Sequence, residues 1–360
     1  MKTTKLIFKL FLFNLVLISC NDNDKPGLEE FLDRYENGIM ISSEGNFGDK
    51  DGSLSFVAGD YSFASNFLYK EVNGAQLGGL VQSVAFDDEN AYIILNDVST
   101  IVVADRYTLE KKSVIMAGLE NPRYMTIFNG KGYITNWGKG ADETDDYIAV
   151  LDLASNSIEE SSKIALDNGV ERILAKDNKL YVSHNGGWSS NNIISVIDLV
   201  DNSVGEITVN DNPDDIFFTT SGDLVVLCKG KPLVYGAPPN YDVVEATTSS
   251  ISFVDVSTKT VFKSLEFSKN IRGTIMSYSE GNIYYYSDNR VYKISETATE
   301  LGADGLDVGD IYGMRAKNDK LYTLEYAFSE LSKLRIIDYE TESDLYATAV
   351  GLGASKIYFN

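Results

Sequence analysis

The chain has 360 residues and a formal net charge of −22, from 31 basic and 53 acidic side chains, with a single histidine and two cysteines. So acidic a body argues against nucleic acid or an anionic membrane surface as its partner. The two cysteines rule out a disulfide framework or a cysteine-ligated zinc site, and one histidine cannot build a multi-histidine metal centre.

In chain order, the first element is an export signal over residues 1–19. Lys2, Lys5 and Lys9 give it a positive start, and Leu10 to Ile18 form an apolar core too short to span a bilayer. It ends in Leu17-Ile18-Ser19-Cys20, which resembles the lipobox of bacterial lipoproteins, where the cysteine is acylated and becomes the new N-terminus. The resemblance implies a lipid anchor on Cys20, membrane contact through that anchor only, and an outer-membrane, surface-exposed location. Residues 20–37 then read as the lipidated cysteine and a flexible acidic tether, beginning Asn21-Asp22-Asn23-Asp24.

From residue 38 to residue 360 the chain is a train of short runs rich in Val, Ile, Tyr and Phe, punctuated by Gly, Asn and Asp, which is an all-β signature. The runs repeat. Ile39-Met40-Ile41-Ser42, Ala91-Tyr92-Ile93-Ile94, Gly132-Tyr133-Ile134-Thr135, Leu180-Tyr181-Val182-Ser183, Leu224-Val225-Val226-Leu227, Ile283-Tyr284-Tyr285-Tyr286 and Leu321-Tyr322-Thr323-Leu324 are seven copies of one strand. Copies two to seven are each preceded by a tight polar turn, such as Asn129-Gly130 or Asp177-Asn178, whose residues tolerate the positive φ angles of a short hairpin. Each copy is followed by a variable loop and a third strand. In five of the seven that strand closes on an Asp, read as a turn former: Asp105, Asp152, Asp198, Asp255 and Asp338. A fourth strand such as 203–209 or 260–267, and a corner bearing Pro or Gly, complete the unit.

Four strands in each of seven units predict a seven-bladed β-propeller over residues 38–360. The last residues, Ala354-Ser355-Lys356-Ile357-Tyr358-Phe359, match a corner and first strand, and the first unit lacks that strand. The C-terminal strand should therefore complete the N-terminal blade and leave no open edge. The segments SEGNFGDKDGSLSF (43–56), YITNWG (133–138), LYVSHNGGW (180–188), SVIDL (195–199) and DNPDDI (211–216) resemble the YncE-like, YVTN-type propellers. They are most similar to a lipoprotein branch with a NEGNFG-type motif, here Ser43-Glu44-Gly45-Asn46-Phe47-Gly48.

The long loops between second and third strands, and the corners into each new blade, should emerge on one face, and loops gathered on one rim of a rigid ring are where function concentrates. This face gives the candidate ligand-binding residues: Glu44, Asn46 and Phe47 in the first loop, Asn136 and Trp137 in the next long one, and His184, Asn185 and Trp188 after it. Tyr241 and Tyr326 come from later loops, and Arg123, Asp214, Arg272 and Tyr312 from the corners. Aromatic rings among Gly, Asn and Ser make a platform for a large amphipathic ligand, or merely pack the loops. Arg123 and Arg272 have the fork that holds a carboxylate or phosphate, or else an acid of a neighbouring blade. His184 can act as an acid, a base or a lone ligand, or can simply be a hydrogen-bonded polar residue near the channel mouth. The acidic loop Asp142-Glu143-Thr144-Asp145-Asp146 has the oxygens for calcium but no EF-hand pattern.

No P-loop, nucleophile elbow or paired-carboxylate spacing stands out, so no catalytic residues and no cofactor are expected. The resemblance implies a surface lipoprotein that captures a small-molecule nutrient. Some members of that branch bind cobalamin (vitamin B12) and cap a TonB-dependent outer-membrane transporter. The alternatives are a propeller that binds another protein across its loop face, or a propeller lyase or lactonase.

Overall fold

The computed structural model describes residues 35–360, apart from 141, 188, 233, 236, 237, 240–242 and 270 and the side chains of 234, 235 and 243–245. The signal, Cys20, most of the tether, Trp188 and Tyr241 therefore lie outside the described residues. Seven antiparallel sheets form a ring of seven blades, and a small hairpin, Val234–Tyr235 with Val243–Glu245, rises from the fifth. In chain order the innermost strands of blades two to seven are Val81–Phe86, Pro122–Phe128, Val170–Lys176, Pro213–Phe218, Ile275–Ser279 and Ile311–Lys317. The innermost strand of blade one is the last of the chain, Ala354–Phe359, which pairs antiparallel with Gly38–Ser43. The ring closes as the sequence predicts.

The repeating strand Asn90–Leu95 shows why these runs are apolar throughout. Ala91, Ile93 and Leu95 pack toward blade one, whereas Tyr92 and Ile94 pack toward blade three. Side chains alternate across a strand, so a blade sandwiched between two others buries both faces. The core is accordingly divided into seven apolar clusters, one at each junction between neighbouring blades.

The turns follow the sequence closely. Asn129, Asp177, Asn178, Asn318 and Asp319 all have φ near +50°, the left-handed geometry that a two-residue hairpin turn demands. The third-strand aspartates cap the bends after them. Asp152 accepts the amides of Ala154 and Ser155 at 3.1 and 2.9 Å, and Asp255 those of Ser257 and Thr258 at 2.8 and 3.1 Å. The fourth strands are less regular. Those of blades one and six shrink to Ala64–Ser65 and Leu306–Asp307, and that of blade three splits into Ser157–Ile158 and Ile164–Ala165. A short helix, Leu68–Asn73, which the strand pattern does not anticipate, buries Leu68 and Tyr69 over the junction of blades one and two.

Candidate functional site

The inner strands share a local irregularity that builds the site. In blades two, three, four, five and seven the register slips just after the first residue of the inner strand, between Val81 and Ser83, Pro122 and Met125, Val170 and Ile173, Pro213 and Ile216, and Ile311 and Gly313. Blade one slips at the same height, opposite Ser42 and Ser43. A bulge turns two consecutive side chains off the alternating pattern. Gln82-Ser83, Arg123-Tyr124, Glu171-Arg172, Asp214-Asp215, Tyr312-Gly313 and Ser355-Lys356 all line the central cavity as a result. In blades three and four a second-strand hydroxyl fills the gap left in the ladder. Tyr124 N–H donates to Thr135 Oγ1 at 3.0 Å and Arg172 N–H to Ser183 Oγ at 3.1 Å. This is the physical reason for strands that end in Ser or Thr.

The cavity has a volume of about 870 Å³. An ion-pair chain crosses its wall. Arg123 grips Glu171 with two bonds of 2.9 and 2.8 Å, donates a third of 2.7 Å to Gln82 Oε1, and stacks 3.8 Å above the Trp137 ring. Arg172 reaches Asp214 at 3.0 Å and Asp215 at 2.9 Å, and lies 4.1 Å from the centre of the Tyr124 ring. Lys229 also bonds Asp214. Burial opposes ionisation of Asp214, but the two cations, Lys229 and Arg172, outweigh it and hold the carboxyl well below its usual range. Charges so matched hold the wall rigid rather than waiting for a ligand.

At the mouth, Tyr312, Tyr326 and Phe328 form a triad of edge-to-face rings 5.2 to 5.4 Å apart. Tyr312 donates to Glu44 at 3.0 Å, which ties the first loop to blade seven. Phe47, 77% exposed, stands in that same loop, whose backbone is held by Asn46 N–H donating to Asp51 at 2.7 Å.

Glu44, Arg123, Asn185, Asp214, Tyr312 and Tyr326 line the cavity as the sequence suggests, whereas four other candidates are structural. His184 is buried, one ring nitrogen 3.0 Å from Asn168 O and the other 2.9 Å from Ser195 Oγ, and burial pushes its pKa down to about 4. It does not line the cavity. Asn136 is buried too, donating to Ile134 O at 2.9 Å and accepting Glu120 N–H at 3.1 Å. Trp137 spends its indole N–H on Val170 O at 2.7 Å and its face on Arg123. Arg272 clamps the carbonyls of Lys229, Gly230 and Lys231, the end of the blade-five ladder, and pairs with no carboxylate among the described residues.

In the acidic loop, Asp145 accepts Lys139 N–H and Asp142 accepts Thr144 N–H. Asp146 accepts Gly169 N–H and Val170 N–H. Each carboxylate serves a different turn, and among the described residues no three metal-ligating side chains gather. Gly169 packs back to back with Gly186 of the His184 loop: a Cβ on it would stand 2.2 Å from the Gly186 backbone, and both have positive φ. The glycines of that loop serve close packing. Glu171, Arg172, Asp215, Lys229, Arg315 and Lys356 also line the cavity, and sequence reasoning missed them. Aligning the corners on Arg123 and Asp214 places Glu171, Arg172, Asp215 and Lys356 at equivalent heights, a signal present in the sequence.

The ring and its charged, bulge-lined channel define a seven-bladed β-propeller built around a central cavity. The chain belongs to the family described as "Domain of unknown function (DUF5074)", which matches residues 37–316. No curated protein matches it. Solved structures share its architecture. Hydrazine synthase of Kuenenia stuttgartiensis has a TM-score of 0.59 at 15% identity, over 77% of this chain and 88% of that one. The dihydro-heme d1 dehydrogenase NirN, in complex with DHE, gives 0.55 at 12%, over 91% and 76%. AztD of Citrobacter koseri gives 0.53 at 12%, over 89% and 96%. At such identities the likeness shows the fold alone, that of a β-propeller.

Proposed function

We propose that this protein is a binding propeller that captures a small-molecule ligand at the mouth of its channel and performs no chemistry on it. The observation that carries the reading is the apolar rim of Phe47, Tyr326, Phe328 and Tyr312, set against a cavity of about 870 Å³ whose deeper wall is charged and hydrogen-bonded. A rim of rings over a polar well suits an amphipathic ligand with a broad apolar face and polar edges. Catalysis is disfavoured by the state of two reactive groups. His184 is sealed with both nitrogens occupied, and Cys228 is buried with its thiol pushed up to about 12 by burial.

The most concrete ligand is a corrinoid, large, partly apolar and edged with amides. The lipobox-like Leu17-Ile18-Ser19-Cys20 and the Ser43–Gly48 motif support capture at the outer-membrane surface and hand-over to a TonB-dependent transporter. Calorimetric titration of cobalamin into the full chain in detergent tests this. The expected result is saturable one-to-one binding, weakened at least tenfold by Tyr326→Ala with Phe47→Ala. Absence of heat at micromolar protein would sink the corrinoid and leave another ligand, or a protein docked across the rim.

A further inference from the structure

The ion pairs of the channel leave two cations over. Arg123 is matched by Glu171, and Arg172 with Lys229 by Asp214 with Asp215. Arg315 and Lys356 also line the cavity, yet among the described residues neither has a carboxylate within 4.0 Å nor a hydrogen-bond acceptor. Phe217 lies 5.7 Å from Arg315 and Tyr312 6.0 Å from Lys356, and Asp215 faces both cations without pairing with either. They project from adjacent inner strands, Ile311–Lys317 of blade seven and Ala354–Phe359 of blade one. The strands approach closely because Gly313 has no side chain: a Cβ there would stand 2.3 Å from Ser355 O. Ser355, 2% exposed and also on the cavity wall, has a hydroxyl with no partner among the described residues.

The other two acids of the cavity lie nearer the mouth. Glu44 follows the second strand of blade one and is engaged by Tyr312, and Asp310 precedes the inner strand of blade seven. Glu44 and Asp310 thus lie on the loop side of the bulges, Lys356 stands at the level of the bulges, and Arg315 follows two residues beyond Gly313. Leaving two cations in a confined wall costs free energy that an occupant of opposite charge would return.

We infer that Arg315, Lys356 and the Ser355 hydroxyl form an oxyanion site inside the channel, taking a carboxylate or phosphate group of a small molecule. An arginine fork and a lysine point charge together suit either group, and the serine adds one donor. The inference deepens the reading of the channel as a ligand cavity and does not depend on the corrinoid, which is assigned to the rim. Lys356 faces Glu44, Tyr312, Asp214, Asp215 and Arg172, and burial first, then Arg172, brings its ammonium down to about 8. Occupation by an anion should restore the proton, so binding at pH 8 should take up about half a proton per site.

Calorimetry on the full chain, with inorganic phosphate and succinate as separate probes, tests this in two buffers of different ionisation enthalpy at pH 8. The expected result is saturable heat with at least one probe, with proton uptake. Affinity should fall at least tenfold in Lys356→Met and in Arg315→Gln. Lys356→Arg should keep binding without the proton uptake. Thermal melting separates misfolding from loss of the site: Lys356→Met removes an unpaired charge and should melt no lower than the parent, while the bound probe should raise the melting point of the parent alone. Heat from neither probe, or equal affinity in the parent and both neutral variants, would overturn the site. Rim variants that abolish cobalamin binding but leave phosphate untouched would show the two sites to be separate, so the failure of one reading is distinguishable from the failure of the other.

Discussion

His184 shows how a single residue's surroundings decide its chemistry. Its imidazole lies within the hydrogen-bonded framework of blade four, between Asn168 O and Ser195 Oγ, and must stay neutral there. With a folded pKa near 4 against an ordinary value of 6.5, the unfolded chain alone binds a proton between those limits. Stability from this group is therefore full above pH 6.5 and lost as pH falls to 4, by roughly 3 kcal/mol. Asp146 has the opposite slope, because burial raises it to about 6 and its contribution is lost as pH rises through that value. Comparing the parent with His184→Gln cancels Asp146, since both chains carry it. Urea melts at pH 7 and pH 4.5 should show the parent losing about 2–3 kcal/mol more than the variant. Equal losses would mean that the ring is protonated in the fold. The sequence placed His184 at a strand end beside a loop, which it is. What it could not show is the direction of the ring, since that depends on Asn168, sixteen residues earlier, and on a strand pair.

At the scale of elements, the turn after each third strand is the most legible unit. Asp105, Asp152, Asp198, Asp255 and Asp338 each cap backbone amides, and the residue four positions on has φ between 52° and 59°. Asn156 and Asn202 fit that conformation, but Glu342 holds it at 55° on an exposed bend. Side chains other than Gly and Asn pay for the left-handed region. Glu342→Asn should therefore raise stability by about 0.5–1 kcal/mol in a urea melt, and the same exchange at the exposed strand residue Asp344 should bring no gain. A null result at residue 342 would mean that the carboxylate compensates the strain. The second strands were legible because both faces are buried and their runs are apolar without interruption. The fourth strands of blades one and six were not, because two residues carry no periodicity. Neither was the helix Leu68–Asn73, too short for a helical pattern and without a side-chain N-cap. The inner strands were half legible. Facing a polar channel, they lose the apolar pattern, and their partners lie a blade away, Glu171 being 48 residues from Arg123 and Asp214 42 from Arg172.

For the whole molecule, closure makes the last seven residues a keystone. Ala354–Phe359 supplies the inner strand of blade one, and Asn360 locks it: its amide and carbonyl exchange bonds of 3.0 and 3.2 Å with Gly38, and its side chain binds Tyr35 O at 2.7 Å and Arg106 Nε at 2.6 Å. The same strand carries Ser355 and Lys356, so the channel wall and the closure of the ring are one element. Ile357 lies 3% exposed in the cluster between blades seven and one, with Ile39 and Ile41. Removing residues 354–360 would expose these side chains and leave the inner edge of Gly38–Ser43 unpaired, open to another chain. Loss of Ile357 burial alone costs about 1.5–3 kcal/mol. At about 2–4 °C per kcal/mol, the melting point should fall by at least roughly 3 °C. The truncated chain should also self-associate on gel filtration through the open edge, and protease should cut first within blade one. An unchanged melting point and a monomeric profile would mean that six blades and the neighbouring junctions hold the ring without its lock. In that case the closing strand, which carries Ser355 and Lys356 on the cavity wall, would serve the ligand site rather than the fold.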